Sequence, residues 1–358
     1  MAELSDPPTR PRLLTGDQVT GRLHLGHLVG SLENRVASQE THECYLIIAN
    51  VHALNSRTDD MQALRDDVIE MGIDELSVGI DPQKTTIFLQ SEVPAISELT
   101  WFFASLLGYG RLMRNPTLKD ELRVKNLGDN YPFAFLMYPV GQIADILAFR
   151  PDTVPVGEDN VPHVELTREI ARRFNVMFCG VDPQAGDDAH CQQGVFPIPD
   201  APVGRVARLV GLDGKHKMSK SLNNAIYLSD SPKQVKKKCG RIYTGRQSAS
   251  DPGVIDGNAL WELHDAFNSN PEELADLKNR YRDGKVGDGD CKQRLAEHIN
   301  ALLDPIRARR AELESDPKCV IDILRTGTAR ANKVAEQTLQ NAKAAMKFDF
   351  FPRDLMVP

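Results

Sequence analysis

The 358 residues are 41% hydrophobic and 26% charged, with a net charge of −7, ordinary values for a folded globular chain with room for two domains and a sizeable core. No apolar run reaches the ~18 residues a membrane span needs, so no membrane partner is expected. Six scattered cysteines with no CxxC pair argue against a disulfide framework and a structural zinc site, and suit a reduced, cytoplasmic setting.

The opening stretch MAELSDPPTRPR has no apolar h-region. Residues 1–11 therefore read as a loose arm rather than a secretory signal. Leu13 and Leu14 precede Thr15-Gly16 and read as the end of a buried parallel strand. A Gly-rich run from Thr15 to Gly21 leads into His24-Leu25-Gly26-His27. Leu23, Leu25, Leu28, Val29 and Leu32 recur at helical spacing, so a helix is predicted to start near Leu23. A strand, a Gly-rich turn and a helix N-terminus together make an anion site. Gly16, Gly21 and Gly26 would let backbone and adenine approach closely. His24 and His27, three apart, would share a helix face and donate to phosphate oxygens. The same segment is compatible with a packed turn bearing two surface histidines. It is not a Walker A loop, because Arg22-Leu23 stands where Lys and Ser/Thr belong, nor is it a GxGxxG fingerprint.

Cys44–Ala49 and Thr85–Leu89 read as buried strands, with helices between 59 and 78 and between 164 and 174. This alternation predicts a Rossmann-like, doubly wound α/β sheet over 12–227. Residues 112–134, polar and irregular, read as an insertion. Gln142, Asp145 and Phe149 fall on one face of a helix expected after Pro139. Asp145 can serve as a hydrogen-bond acceptor in a pocket; a first-turn residue favoured by the helix dipole is the other reading. His52 is a pocket candidate or a satisfied structural histidine.

Lys217-Met218-Ser219-Lys220-Ser221, flanked by Gly211–Gly214 and Asn223-Asn224, predicts a mobile loop. Its two ammonium groups and two hydroxyls could close on a triphosphate. From Lys215 to Arg246 basic residues dominate, a local stripe that suits a nucleic acid despite the negative total. A solvated helix face explains Lys236, Lys237 and Lys238 about as well. From 228 to 346 helical patterning predicts a separate helical domain, with turns at 251–253 and 285–290, and 347–358 reads as a tail.

The pair His24–His27 and Lys217–Ser221 resembles the HIGH and KMSKS motifs of class I aminoacyl-tRNA synthetases. The runs Tyr138–Leu147, Val154–Asp159, His163–Arg168, Gln90–Pro94 and Asn332–Ala335 resemble the tryptophanyl members more than the tyrosyl ones. His24–His27 where most bacterial members carry Thr-Ile-Gly-Asn, Gln142 where many carry Met, and Asn160 in place of Gln resemble the diverged second bacterial type. The resemblance implies ATP and Mg²⁺ as cofactors, L-tryptophan and tRNA(Trp) as partners, and a homodimer. It implies His24, His27, Lys119, Lys217 and Lys220 as catalytic. Gly16, Gln18, Gly26, Gly157, Asp159, Met218, Ser219 and Ser221 would bind ATP. His52, Tyr138, Gln142, Asp145 and Asn160 would bind tryptophan, and Lys236, Lys237 and Arg241 would contact tRNA. No residue is assigned to a metal. An intact lysine loop argues against a relative that has lost catalysis, and the helical part argues against a small-molecule nucleotidyltransferase.

Overall fold

A computed structural model describes residues 10–351 except 56, 125–130, 204–208, 247 and 249–250. Its sheet is built from strands whose side chains are apolar on both faces. In β2 (Glu43–Ala49) Tyr45 and Ile47 enter one hydrophobic cluster, while Leu46 and Ile48 enter the other. In β3 (Thr85–Leu89) Phe88 and Ile87 divide in the same way. β1 (Arg12–Gln18) pairs parallel with β2, and β2 pairs parallel with β3. On the far side of β1 the chain adds two extended segments. Thr153 bridges Leu13 and Asp200, and Val156 bridges Val203, all parallel. The order is therefore β3-β2-β1, then 153–156, then 200–203. It reverses beside β1, and ligands of such sheets bind at that reversal.

Helix Met61–Ser77 covers one face with Leu64, Val68 and Met71. Helices Pro94–Leu106, Phe133–Leu147 and Val161–Cys179 cover the other. The chain after 228 is helical: Pro232–Gly240, Ala259–Phe267, Pro271–Arg282, Asp288–Ser315 and Pro317–Ala345. Its core is continuous with the first face, where Trp261, Leu295 and Ile299 join Leu46 and Ile48 in one cluster. Helix Pro317–Ala345 lies along β3. The Leu89 N–H donates to Thr328 Oγ1 at 3.1 Å, and Asn332 Nδ2 donates to the Glu92 carbonyl at 2.8 Å. An edge strand is thereby covered.

Several local expectations change. β1 runs on through Thr15 and Gly16 to Gln18, so those two belong to the strand rather than the turn. A Cβ at Gly16 would lie 2.2 Å from the Ile47 carbonyl oxygen of the neighbouring strand, so strand packing by itself requires glycine here. Pro139 lies inside its helix, not at its start. Phe149 lies beyond that helix and stacks on Phe88 and Tyr45, with ring centroids 4.6 and 5.2 Å apart, in the core. Part of the irregular region is helical, at Tyr109–Leu112 and Pro116–Val124. Helix Asp288–Ser315 begins within the turn expected at 285–290. The arm and the tail fall mostly outside the described residues. All six cysteines are free, and no described helix is long and apolar enough to cross a membrane.

Candidate active site

A cavity of about 810 Å³ opens at the carboxyl ends of β1 and the 153–156 segment, a size usual for small-molecule sites. His52, Tyr138, Gln142, Asp145 and Asn160 line it, as do Gly16, Gln18, Gly157 and Asp159. Tyr138, Gln142 and Asp145 are spaced four and three apart on helix Phe133–Leu147, so they share the face turned to the cavity. Asp145 sits in the last turn of this helix, which removes the N-terminal dipole as its explanation.

Asp145 is 4% exposed. Gln90 Nε2 donates to Oδ1 at 2.8 Å and to Oδ2 at 2.9 Å, and His52 Nε2 lies 2.7 Å from Oδ2. A carboxylate only accepts, so His52 carries its hydrogen on Nε2. Three of the roughly four acceptor positions are filled, and the last belongs to Oδ1. His52 sits in the short helix Asn50–Ala53 that follows β2. Gln90 Oε1 accepts from Val51 and His52 N–H at 3.0 and 3.3 Å, and Gln18 Nε2 donates to the His52 carbonyl at 2.9 Å. A Cβ at Gly141 would lie 3.1 Å from the His52 ring, so a larger residue there would press on this imidazole. Gln90 was not among the expected site residues. Its signal was available: an amide directly after the end of a buried parallel strand.

A second hydrogen-bond chain ends at Tyr138 on the same helix. Asn115 Nδ2 lies 3.4 Å from His163 Nδ1, and His163 Nε2 lies 3.2 Å from the Tyr138 hydroxyl. Burial holds His163 at about 4, so its ring is neutral near pH 7. Burial and the Glu121 carboxylate together push the Tyr138 phenol up. Thr117 and Glu121 line the cavity from helix Pro116–Val124. Lys119, two positions from each and about 200° round the helix, is exposed on the far side and is not brought into the cavity.

The two histidines are arranged differently from expectation. The helix starts at Leu25, and His24 is its N-cap. His24 Nδ1 accepts from the Gly26 N–H at 3.1 Å, and His27 Nδ1 accepts from the His24 N–H at 3.1 Å. With both Nδ1 atoms accepting, both neutral rings carry hydrogen on Nε2. Burial, with the charges of neighbouring groups, holds His24 at about 3 and His27 at about 4. A π-helical turn, Leu28–Leu32, follows.

The lysine loop and its exit pack on the segment from Thr20 to Gly26. His24 pairs with Tyr227 across an antiparallel bridge, and Lys220 Nζ lies 3.1 Å from Thr20 Oγ1. Met218, 2% exposed, faces Gly26. Buried Asn224 holds the loop from within: its Oδ1 accepts from the Ser219 N–H at 2.7 Å, and its Nδ2 donates to the Lys217 carbonyl at 3.3 Å. The Ser219 and Ser221 hydroxyls are 3.0 Å apart. Burial pulls Lys220 down to about 8.

The basic stripe is not one surface. Arg246 is buried against Asp288 and the Tyr281 ring. Lys238 pairs with Asp230 at 2.6 Å and lies over Tyr227. Lys236, Lys237 and Arg241 remain exposed on and just after helix Pro232–Gly240. Among the described residues no group of three His, Cys, Asp or Glu could hold a metal ion.

The family model of class I tRNA synthetases (W and Y) matches residues 7–304. The chain belongs to this family. It is 47% identical to the tryptophan–tRNA ligase of Treponema pallidum over 94% of its own length and 96% of that protein's. It is 41% identical to the tryptophan–tRNA ligase of Streptococcus pneumoniae over 96% of its length and 99% of that protein's. The tryptophanyl-tRNA synthetase of Campylobacter jejuni, solved with ADP and tryptophan, superimposes with a TM-score of 0.81 at 33% identity, covering 94% and 99% of the two chains. The family accounts for the architecture: a Rossmann-like α/β sheet followed by helices, with the chain acting as an aminoacyl-tRNA ligase.

Proposed function

We propose that this cavity activates L-tryptophan with ATP and then passes it to tRNA(Trp). In the first step a carboxylate oxygen of tryptophan attacks the α-phosphorus. The bond to the bridging β-oxygen breaks and pyrophosphate leaves. The carboxylate is already the nucleophile, so no protein base is needed. Catalysis is proximity and charge stabilisation. In the second step the terminal ribose hydroxyl of tRNA takes the tryptophanyl group and AMP leaves.

The observation that carries the reading is Asp145, a buried carboxylate that lines the cavity and keeps one acceptor position unfilled. The indole N–H fills that position, and phenylalanine, which lacks it, is rejected. Tyr138, Gln142 and Asn160 surround the ammonium and carboxylate groups. Gly16, Gln18, Gly157 and Asp159 face the nucleotide. His24 and His27 donate Nε2–H to phosphate oxygens, with Gly26 leaving room beside them. Lys217, Met218, Ser219, Lys220 and Ser221 close on the triphosphate, and Lys119 joins them if its helix turns inward. Mg²⁺ enters on the triphosphate of ATP, the usual way this ion is held. Lys236, Lys237 and Arg241 contact tRNA. The family resemblance supports a homodimer with tRNA across both subunits, working in the cytoplasm. Pyrophosphate exchange with each of the twenty amino acids tests the reading: tryptophan alone should support it at low concentration, and tyrosine-dependent exchange would overturn it.

A further inference from the structure

The two ATP motifs meet in a short backbone ladder. The Leu25 N–H donates to the Ile226 carbonyl at 2.9 Å, and the Leu228 N–H donates to the Leu23 carbonyl at 3.0 Å. Ile226–Leu228 is where the chain leaves the lysine loop. The ladder therefore ties that exit to the His24 cap.

Each side of the ladder ends on a carboxylate. Asp74 Oδ2 accepts from the Leu23 N–H at 2.7 Å, and Asp230 Oδ2 accepts from the Tyr227 N–H at 2.8 Å. Helix Asp288–Ser315 reaches both residues, at the Asp74 side chain and at the Asp230 backbone, the Asp230 carboxylate being paired with Lys238. Arg310 donates to Asp74 Oδ1 and to Glu70 Oε2. Arg307 Nη1 donates to the Asp230 carbonyl at 3.0 Å. Glu70 also receives Arg22 Nε at 3.2 Å. The two arginines are three apart and share a helix face.

We propose that Arg307 and Arg310 are positioning residues for adenylate formation, holding the Leu23–Leu25 and Ile226–Leu228 ladder in register from the helical half of the chain. Neither arginine lines the cavity, so they act through the ladder. Asp74 is fully buried and the Arg310 side chain is 4% exposed. Taking such charges out of water is costly, and a buried pair is poor evidence of a stability role. Its placement matters more: His24, His27 and Lys220 all hang from the segments it fixes. Misplacing such groups by about 1 Å costs on the order of 100-fold in rate.

The proposal rests on the adenylation reading above. Its test is tryptophan-dependent pyrophosphate exchange at varied ATP, beside equilibrium dialysis of tryptophan without ATP. The variants are Arg307→Met, Arg310→Met and Arg310→Lys. The double variant Arg310→Met with Asp74→Asn leaves no lone buried charge and keeps a carbonyl for the Leu23 N–H, should Arg310→Met alone fail to fold. The methionine variants and the double variant should lose about 10- to 100-fold in kcat for exchange or in kcat/KM for ATP. Tryptophan Kd should stay within twofold, and Arg310→Lys should recover part of the rate. Folded variants with kcat and ATP KM within twofold of the parent overturn the proposal, as does a parallel loss of tryptophan binding. A parent chain without tryptophan-dependent exchange overturns the functional reading itself; a normal parent with indifferent variants overturns this proposal alone.

Discussion

Asp145 Oδ2 and His52 Nε2, ninety-three residues apart in sequence, lie 2.7 Å from each other. His52 and Gln90 hold the carboxylate in one orientation, with one acceptor position left over on Oδ1. Preorganisation of this kind is what makes a buried acceptor selective.

Asp145→Asn keeps the shape and a carbonyl oxygen but removes the charge. A hydrogen bond to a charged group is worth roughly 1.5–3 kcal/mol, so kcat/KM for tryptophan should fall about 10- to 100-fold with little change in the ATP constant. An analogue with carbon or sulfur in place of the indole nitrogen should be poor for the parent and lose much less in the variant. Equal use of analogue and tryptophan by the parent would remove Asp145 from the recognition of the indole.

Lys220 supplies a second, pH-dependent test. Burial brings its ammonium down to about 8, so the free chain loses this positive charge as pH rises through 8. The kcat/KM for ATP in adenylate formation should decline above that pH. Lys220→Arg, charged throughout, should move the decline upward. Lys220→Ala should slow stopped-flow adenylate formation by ~100-fold while tryptophan binding stays near normal. A normal adenylation rate in Lys220→Ala would end the role.

The His24 and His27 rings stay neutral down to about 3 and 4, against an ordinary 6.5. Between pH 6.5 and about 4 the unfolded chain takes up protons that the native rings refuse. Folding stability should therefore fall as pH falls through that window. His27→Asn removes one such site, so its urea midpoint should vary less with pH than the parent's. Identical pH slopes for the two would show that the native ring protonates normally.

Lys236, Lys237 and Arg241 are exposed and close in sequence. Replacing all three with Gln should raise the tRNA KM and flatten its dependence on salt by roughly one unit of slope for each phosphate left unneutralised. Pyrophosphate exchange should be unchanged. A comparable drop in exchange would make these residues part of the ATP site or of the fold.

The elements near the site were legible because their signals are local. Cys44–Ala49 is too apolar to be anything but a strand buried on both faces, and the strand is there. Residues 59–78 carry helical periodicity, and helix Met61–Ser77 lies within that range. Lys217–Ser221 and His24–His27 are legible as a pair because together they resemble the two motifs of one family. The helix expected to start near Leu23 starts at Leu25 because capping, not periodicity, decides where a helix begins: His24 closes a capping box outside it, and its ring still lies 3.9 Å from that of His27. Phe149 shared a helical face on paper, yet it stacks on Phe88 and Tyr45 because the helix has already ended.

Sequence alone determined the class of fold, since periodicity is written along the chain, and carried the two motifs and the Tyr138–Leu147 run through their resemblance to a family. Tertiary structure decided the partners. Gln90 and His52 holding Asp145, Asn224 inside the lysine loop, Asp17 taken by Arg35 at 2.6 Å, and Arg310 reaching Asp74 are contacts that no local pattern announces. Nothing local in the chain specifies which buried acceptor meets which donor. That choice is made by burial: a polar group taken out of water must find a partner, and only the packed sheet and helices determine which one is within reach.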